Sequence, residues 1–141
     1  MASVSTLYTR DILRLSSSLP VVGRLAEADG EAERRSVTCG SRVVASVRMN
    51  GAHIAEAALE AHSCALGQAS AAILLAHAVG LTHADLTDMR ARIAAGLNGE
   101  GDWPTDWPEL SHLQPAHAYP ARHGAIVLPF DALIAAMEGA G

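Results

Sequence analysis

Arg42-Val43-Val44-Ala45-Ser46-Val47-Arg48-Met49-Asn50-Gly51 carries the plainest structural pattern in the chain. Val43, Ala45, Val47 and Met49 fall on every second position, the period of a half-buried strand. The Asn50-Gly51 pair that follows is a strong two-residue hairpin signal. Ile54 to His62 then reads as the return strand, although its alanines and glutamates suit a helix equally well. Upstream, Arg34 to Cys39 reads as extended, with Arg34, Ser36 and Thr38 alternating with Arg35, Val37 and Cys39, and Gly40 breaks the run. The three segments make a meander. It delivers Cys39 at one strand junction and Cys64 at the end of the last strand.

Beyond the meander comes His62-Ser63-Cys64-Ala65-Leu66-Gly67-Gln68-Ala69-Ser70-Ala71-Ala72, where a cysteine opens a run of small residues. The run predicts a closely packed helix over Ala65 to Val79, closed by Gly80. At a helix start the backbone N–H groups and the dipole favour negative charge on the sulfur by roughly 0.3–1 kcal/mol. That is too little alone, so Cys64 needs a metal or a cation such as an arginine beside it. Thr82 with Asp85 resembles a capping box and opens a helix to about Leu97, with Leu86, Met89, Ile93 and Leu97 on one side. Asn98 to Pro108 is a loop holding the paired Asp102-Trp103-Pro104 and Asp106-Trp107-Pro108. Its tryptophans are most simply core anchors; two exposed rings would instead make a partner-binding patch. Pro108 to Leu113 suits a short helical turn, and Pro120 a first-turn proline. From there Ile126, Phe130, Leu133 and Met137 share one helical face, with Pro129 expected to kink the element or to start its second half. At the other end, Thr6 to Leu15 reads as a short amphipathic helix ended by Ser16-Ser17-Ser18 and Pro20. Leu25 to Glu33 is polar, with Asp29-Gly30 as a turn signal. The class is α+β, a three-stranded antiparallel sheet with helices packed on it, in one domain over residues 1–141.

Composition narrows the function. A net charge of -5 argues against a nucleic-acid binder, which would carry a basic face; all 10 basic residues are arginine. Aromatics are only 4% of the chain, so the core should be aliphatic and small. No apolar run reaches the roughly 18–20 residues that span a bilayer, and Met1 to Ser18 lacks the pattern of a secretory signal. A cytoplasmic protein with no membrane partner is expected. Its two cysteines then read as free thiols or ligands rather than a disulfide; the bland alternative is that both are core residues. Ser41 and Ser63 are weak nucleophile candidates, because no histidine–carboxylate pair is legible around them. No glycine-rich phosphate loop is present. His53, His62, His77, His83, His112 and His117 form no pair at metal-ligand spacing, and His62 alone stands near Cys64.

Three motifs in order carry a resemblance. They are the strand–Cys39-Gly40–strand unit, the Cys64-Ala65-Leu66-Gly67-Gln68-Ala69-Ser70-Ala71 helix entry, and the tail from Tyr119-Pro120-Ala121-Arg122 to Leu128-Pro129-Phe130-Asp131-Ala132-Leu133. With the opening Leu7-Tyr8-Thr9-Arg10-Asp11-Ile12, the chain resembles the NifU N-terminal (IscU/SufU-like) iron–sulfur cluster assembly scaffolds over nearly its whole length. The long stretch before the Pro-Ala-Arg tail is similar to the SufU-type branch. The resemblance implies a site of three cysteines and an aspartate. Cys39 and Cys64 match the first two cysteines, but Ser41 stands at the aspartate and Ala125 at the third cysteine. Where the IscU branch has a histidine, this chain has Gly124, with His123 one residue away. Arg122 of the tail is expected beside the thiols. By the same resemblance the cargo is iron, a labile iron–sulfur cluster or transferred sulfur, and the partners are a cysteine desulfurase and recipient proteins. That makes the chain a scaffold or sulfur acceptor more than an enzyme. A zinc-dependent sulfurtransferase or adaptor of SufU type, and a degenerate paralogue that binds no metal, are the alternatives. Two thiols cannot complete a four-ligand shell; His123, a homodimer, or an added thiol or partner protein would each supply the rest.

Overall fold

A computed structural model describes residues 7–18, 24–36 and 40–140. Cys39, with Val37 and Thr38, lies outside the described residues, as does Pro20. Helix α1 spans Arg10–Ser17, strand β1 Gly30–Arg35, β2 Arg42–Asn50 and β3 His53–His62. Helices α2 (Ala65–His77), α3 (His83–Leu97) and α4 (His123–Ala140) follow, with three short 3-10 turns between α3 and α4. The sheet is antiparallel in the order β1-β2-β3.

The expected fold class holds. Strand β2 is central, and Val43 to Val47 are all buried, so both of its faces are covered. Helix α4 packs on β1 and β2, and the segment before β1 lies over the other face. There the Leu25 N–H donates to the buried Ser46 hydroxyl at 3.0 Å, and Arg24 meets Glu60 at 2.7 Å. The hairpin forms at Asn50-Gly51, where Gly51 takes φ 63, a left-handed conformation that glycine adopts without penalty. Ile54 to His62 is strand and not helix, paired along β2 with one irregularity at Arg48/Met49. The Met49 N–H at that irregularity donates to Asp29 at 2.7 Å.

Several boundaries differ from the sequence reading. The first strand is Gly30–Arg35 and not Arg34 to Cys39. Gly30 is a contact residue: a Cβ there would lie 2.0 Å from the Ala136 carbonyl oxygen, so only glycine lets α4 cross β1. Helix α1 starts at Arg10 and not Thr6, because the Thr9 hydroxyl accepts from the Ile12 N–H at 3.2 Å and caps it. Helix α2 ends at His77 instead of Val79. The α3 capping box is present in full: the Thr82 hydroxyl accepts from Asp85 N and the Asp85 carboxylate from Thr82 N. The Thr82 backbone N–H, and after it the Thr82 hydroxyl, hold the Asp85 carboxyl below its ordinary range.

The tail needs a further correction. Pro120–Ala140 is 21 residues with a mean hydropathy of 1.2, so by length and composition one helix does reach a membrane span. Half of it is buried inside the fold, where a helix packed on most sides is apolar on most sides. Ile126, Phe130, Leu133 and Met137 are all buried as their spacing predicts. The helix continues through Pro129.

Candidate functional site

The site lies at the end of the sheet where Arg35, Arg42 and His62 are aligned across the three strands. Ser63 carries the chain from β3 to Cys64, the N-cap residue of α2, with extended φ -68 and ψ 170. The cysteine makes no side-chain cap bond, so capping does not consume its sulfur. Cys64 is a free, half-buried thiol.

Two side chains from other elements converge on it. The Tyr8 hydroxyl, just before α1, lies close enough to the Cys64 sulfur to interact with it, and Arg122 lies within electrostatic reach of Tyr8. Burial pushes the Tyr8 phenol above its ordinary range, the Cys64 sulfur adds to this, and Arg122 opposes it. Arg122 and Cys64 thus both act on Tyr8.

The remaining expected residues take other places. Ser41 is 4% exposed, and its hydroxyl shares a 2.9 Å hydrogen bond with Ser63 Oγ. Ala125 is 1% exposed and offers only a methyl group. His123 is half-buried, with Nε2 2.9 Å from the Ala116 carbonyl, to which it donates. Among the described residues no three His, Cys, Asp or Glu side chains gather where they could hold a metal ion. His62 is exposed and pairs with Glu60 at 2.9 Å. Ser36 N donates to the Ser41 carbonyl and Gly40 N to the Ser36 carbonyl, both at 2.9 Å.

Sequence reasoning passed over three residues of this corner. Tyr8 was legible only as part of the opening motif, because nothing local links residue 8 to residue 64. Ser63 was weighed as a nucleophile, whereas it is a structural partner of Ser41. Gly67 was read merely as small. A Cβ there would sit 1.9 Å from Ser63 Oγ and 3.2 Å from the Ala125 carbonyl, so glycine is what lets the starts of α2 and α4 meet.

The Trp103–Trp107 loop resolves to its structural reading. Trp107 is 8% exposed, stacked on His77 at 4.7 Å and 3° and near Phe130 at 6.2 Å. Trp103 lies against Gly96, where a Cβ would come within 2.5 Å of its ring, and its Nε1 donates to Leu110 at 3.1 Å.

No family profile matches the chain. Over 132 residues it is 21% identical to the iron-sulfur cluster assembly scaffold protein IscU of Thermotoga maritima, covering 94% of this chain and 93% of that protein. The crystal structure of a nitrogen-fixing NifU-like protein (N-terminal) from Brucella abortus is similar with a TM-score of 0.89 at 29% identity, covering 96% of this chain and 95% of that one. FiSufU of Fervidobacterium islandicum AW-1, described as an iron-sulfur cluster assembly scaffold protein for the SUF system, matches with a TM-score of 0.85 at 23% identity. That match covers 96% of this chain and 99% of FiSufU, and it bears on the fold alone.

Proposed function

We infer from fold and relatives that this chain is a member of the IscU/NifU-like scaffold family, and we propose that it serves iron–sulfur cluster assembly through the thiols of Cys64 and Cys39. The observation that carries this reading is the half-buried Cys64 sulfur at the start of α2, with the Tyr8 hydroxyl close to it and Arg122 within reach of Tyr8. The cargo is iron, a labile cluster or a transferred sulfur atom. The proposed partners are a cysteine desulfurase and recipient proteins, and the proposed setting is the cytoplasm.

The donor set favours sulfur among these cargos, because a sulfur atom needs only one thiolate. In that step the Cys64 thiolate attacks the terminal sulfur of a donor persulfide. The S–S bond of the donor breaks, a Cys64 persulfide forms, and the donor leaves as a thiolate, with no outside oxidant or reductant. Arg122 offers positive charge near the anionic sulfur. A cluster or iron ion, which wants about four ligands, needs Cys39 together with His123, a second copy, or an added thiol. Resident zinc is poorly served by the same set. A structural zinc takes four cysteine, histidine or carboxylate ligands, and Ser41 and Ala125 stand at two of the four positions and supply none.

Anaerobic reconstitution with iron and sulfide tests the cluster arm through the visible spectrum and metal analysis. Wild type is expected to develop cluster absorption that Cys39→Ala/Cys64→Ala lacks; the same featureless spectrum from both overturns it. Stimulation of a desulfurase that vanishes in Cys64→Ser tests the sulfur arm, and equal stimulation by that variant overturns it. The degenerate-paralogue reading is favoured by Ser41 and Ala125. It predicts that both experiments return nothing.

A further inference from the structure

We propose that the corner around Cys64 is fastened by a hydrogen-bonded serine clasp, Ser41 to Ser63, that does the work of a metal, so that the chain carries no resident zinc and both serines are positioning residues for Cys64. The last backbone rung between β2 and β3 pairs Arg42 with His62. Ser41 and Ser63 are the next residues outward on each strand, and their 2.9 Å hydroxyl contact continues the ladder with side chains.

The clasp is enclosed on its inner side. Ser63 Oγ occupies the space that a side chain on Gly67 would fill, and the Ala125 carbonyl seals the same space from α4. β2, the β3–α2 turn, α2 and α4 therefore meet around two hydroxyl groups. Ser41 is 4% exposed, and a buried polar group of this kind stabilises a fold only while hydrogen-bonded. Cys64 follows Ser63 directly, so the clasp sets where the α2 N-cap begins and how its sulfur meets Tyr8. A metal would need donors at this spot. The described residues offer one thiol, Cys64, beside a serine pair, an alanine methyl and a histidine committed to Ala116, short of the four ligands that a structural zinc takes.

The test has two arms, and neither depends on what Cys64 accepts. A failed reconstitution therefore leaves this inference standing, and failure of this inference leaves the scaffold reading open. In the metal arm, the thermal midpoint of wild type is measured in excess chelator and with zinc alone. It should move by less than about 1 °C in either case. A large fall in chelator, or stoichiometric zinc in protein purified without added metal, overturns the proposal.

In the clasp arm, Ser41→Ala and Ser63→Ala are compared with their double variant. Each single change should lower the midpoint by about 4 °C. The double variant should lose less than the sum of the two, because both single changes remove the same hydrogen bond. Alkylation of Cys64, followed peptide by peptide, should quicken several-fold in the single variants, and Ser41→Thr should restore it. Additive midpoint losses, or unchanged alkylation in both single variants, overturn the positioning role. If Ser41→Ala does not fold, Ser63→Ala and the metal arm still decide.

Discussion

The Trp103–Trp107 loop and the Cys64 corner are equally conspicuous in the sequence, yet they are built in opposite ways. In the loop every large group is spent on its neighbours. Trp107 is sandwiched between His77 and Phe130, and Trp103 lies on Gly96 with its N–H on Leu110. At the corner the large groups are absent. Serine, glycine and alanine bring three elements together, and one sulfur is left half-buried with a tyrosine and an arginine near it. Rarity in the sequence marks both regions. Only the second leaves a half-buried thiol with no cap bond to make, and that difference separates an anchor from a candidate site.

The contrast can be broken at its strong end first. Trp107→Ala removes a buried, stacked indole and should cost about 3–5 kcal/mol, read by denaturant unfolding. Cys64 in the folded fraction should keep its alkylation rate. A mild loss of stability, or a change at Cys64, would show that the loop is not the anchor described. Gly67→Ala strikes the other region. Its Cβ would fall on Ser63 Oγ, an overpacking cost of about 1–3 kcal/mol, and it should alter Cys64 alkylation as well as stability. If it changes neither, the close meeting of α2 and α4 is relaxed in solution.

How much of this was legible in advance depends on how local each cause is. β2, its hairpin, the Thr82–Asp85 capping box and the buried face of α4 could be read because period, turn chemistry and caps act within a few residues. Gly30 looked like a turn signal because a glycine made necessary by a crossing helix carries no local mark. The apolar tail looked like an ordinary amphipathic helix when four positions were counted, whereas the whole element has the length and hydropathy of a membrane span. At the candidate site, motif order singles out Cys64 and Arg122, both of which act on Tyr8. Tyr8, Ser63 and Gly67 were not assigned their roles, because each depends on a contact between residues far apart in the chain.

Two smaller effects sharpen the account. Thr82→Ala opens the capping box and should lower stability by about 1 kcal/mol, without touching Cys64; a measurable change in its alkylation would mean that the two ends of the sheet are coupled. Glu109 carries the smallest effect. Its own backbone N–H holds its carboxyl below the ordinary 4.5, against burial, and His77 lowers it further. A carboxyl depressed in the folded state stabilises above its unfolded value, and that contribution fades as pH falls through the folded value. Stability should therefore decline below about pH 4.5, and Glu109→Gln should flatten that part of the profile. An identical acid limb in wild type and variant would remove the His77–Glu109 contact from the anchor.

The central claim is that the Cys64 sulfur receives cargo at an accessible corner. The most direct measurement is to incubate the protein with a cysteine desulfurase and labelled cysteine, then locate the label by peptide mass spectrometry. The account predicts labelled sulfur on the Cys64 peptide, lost in Cys64→Ser. Label confined to the Cys39 peptide, or no label on the chain while the desulfurase itself is charged, would contradict it.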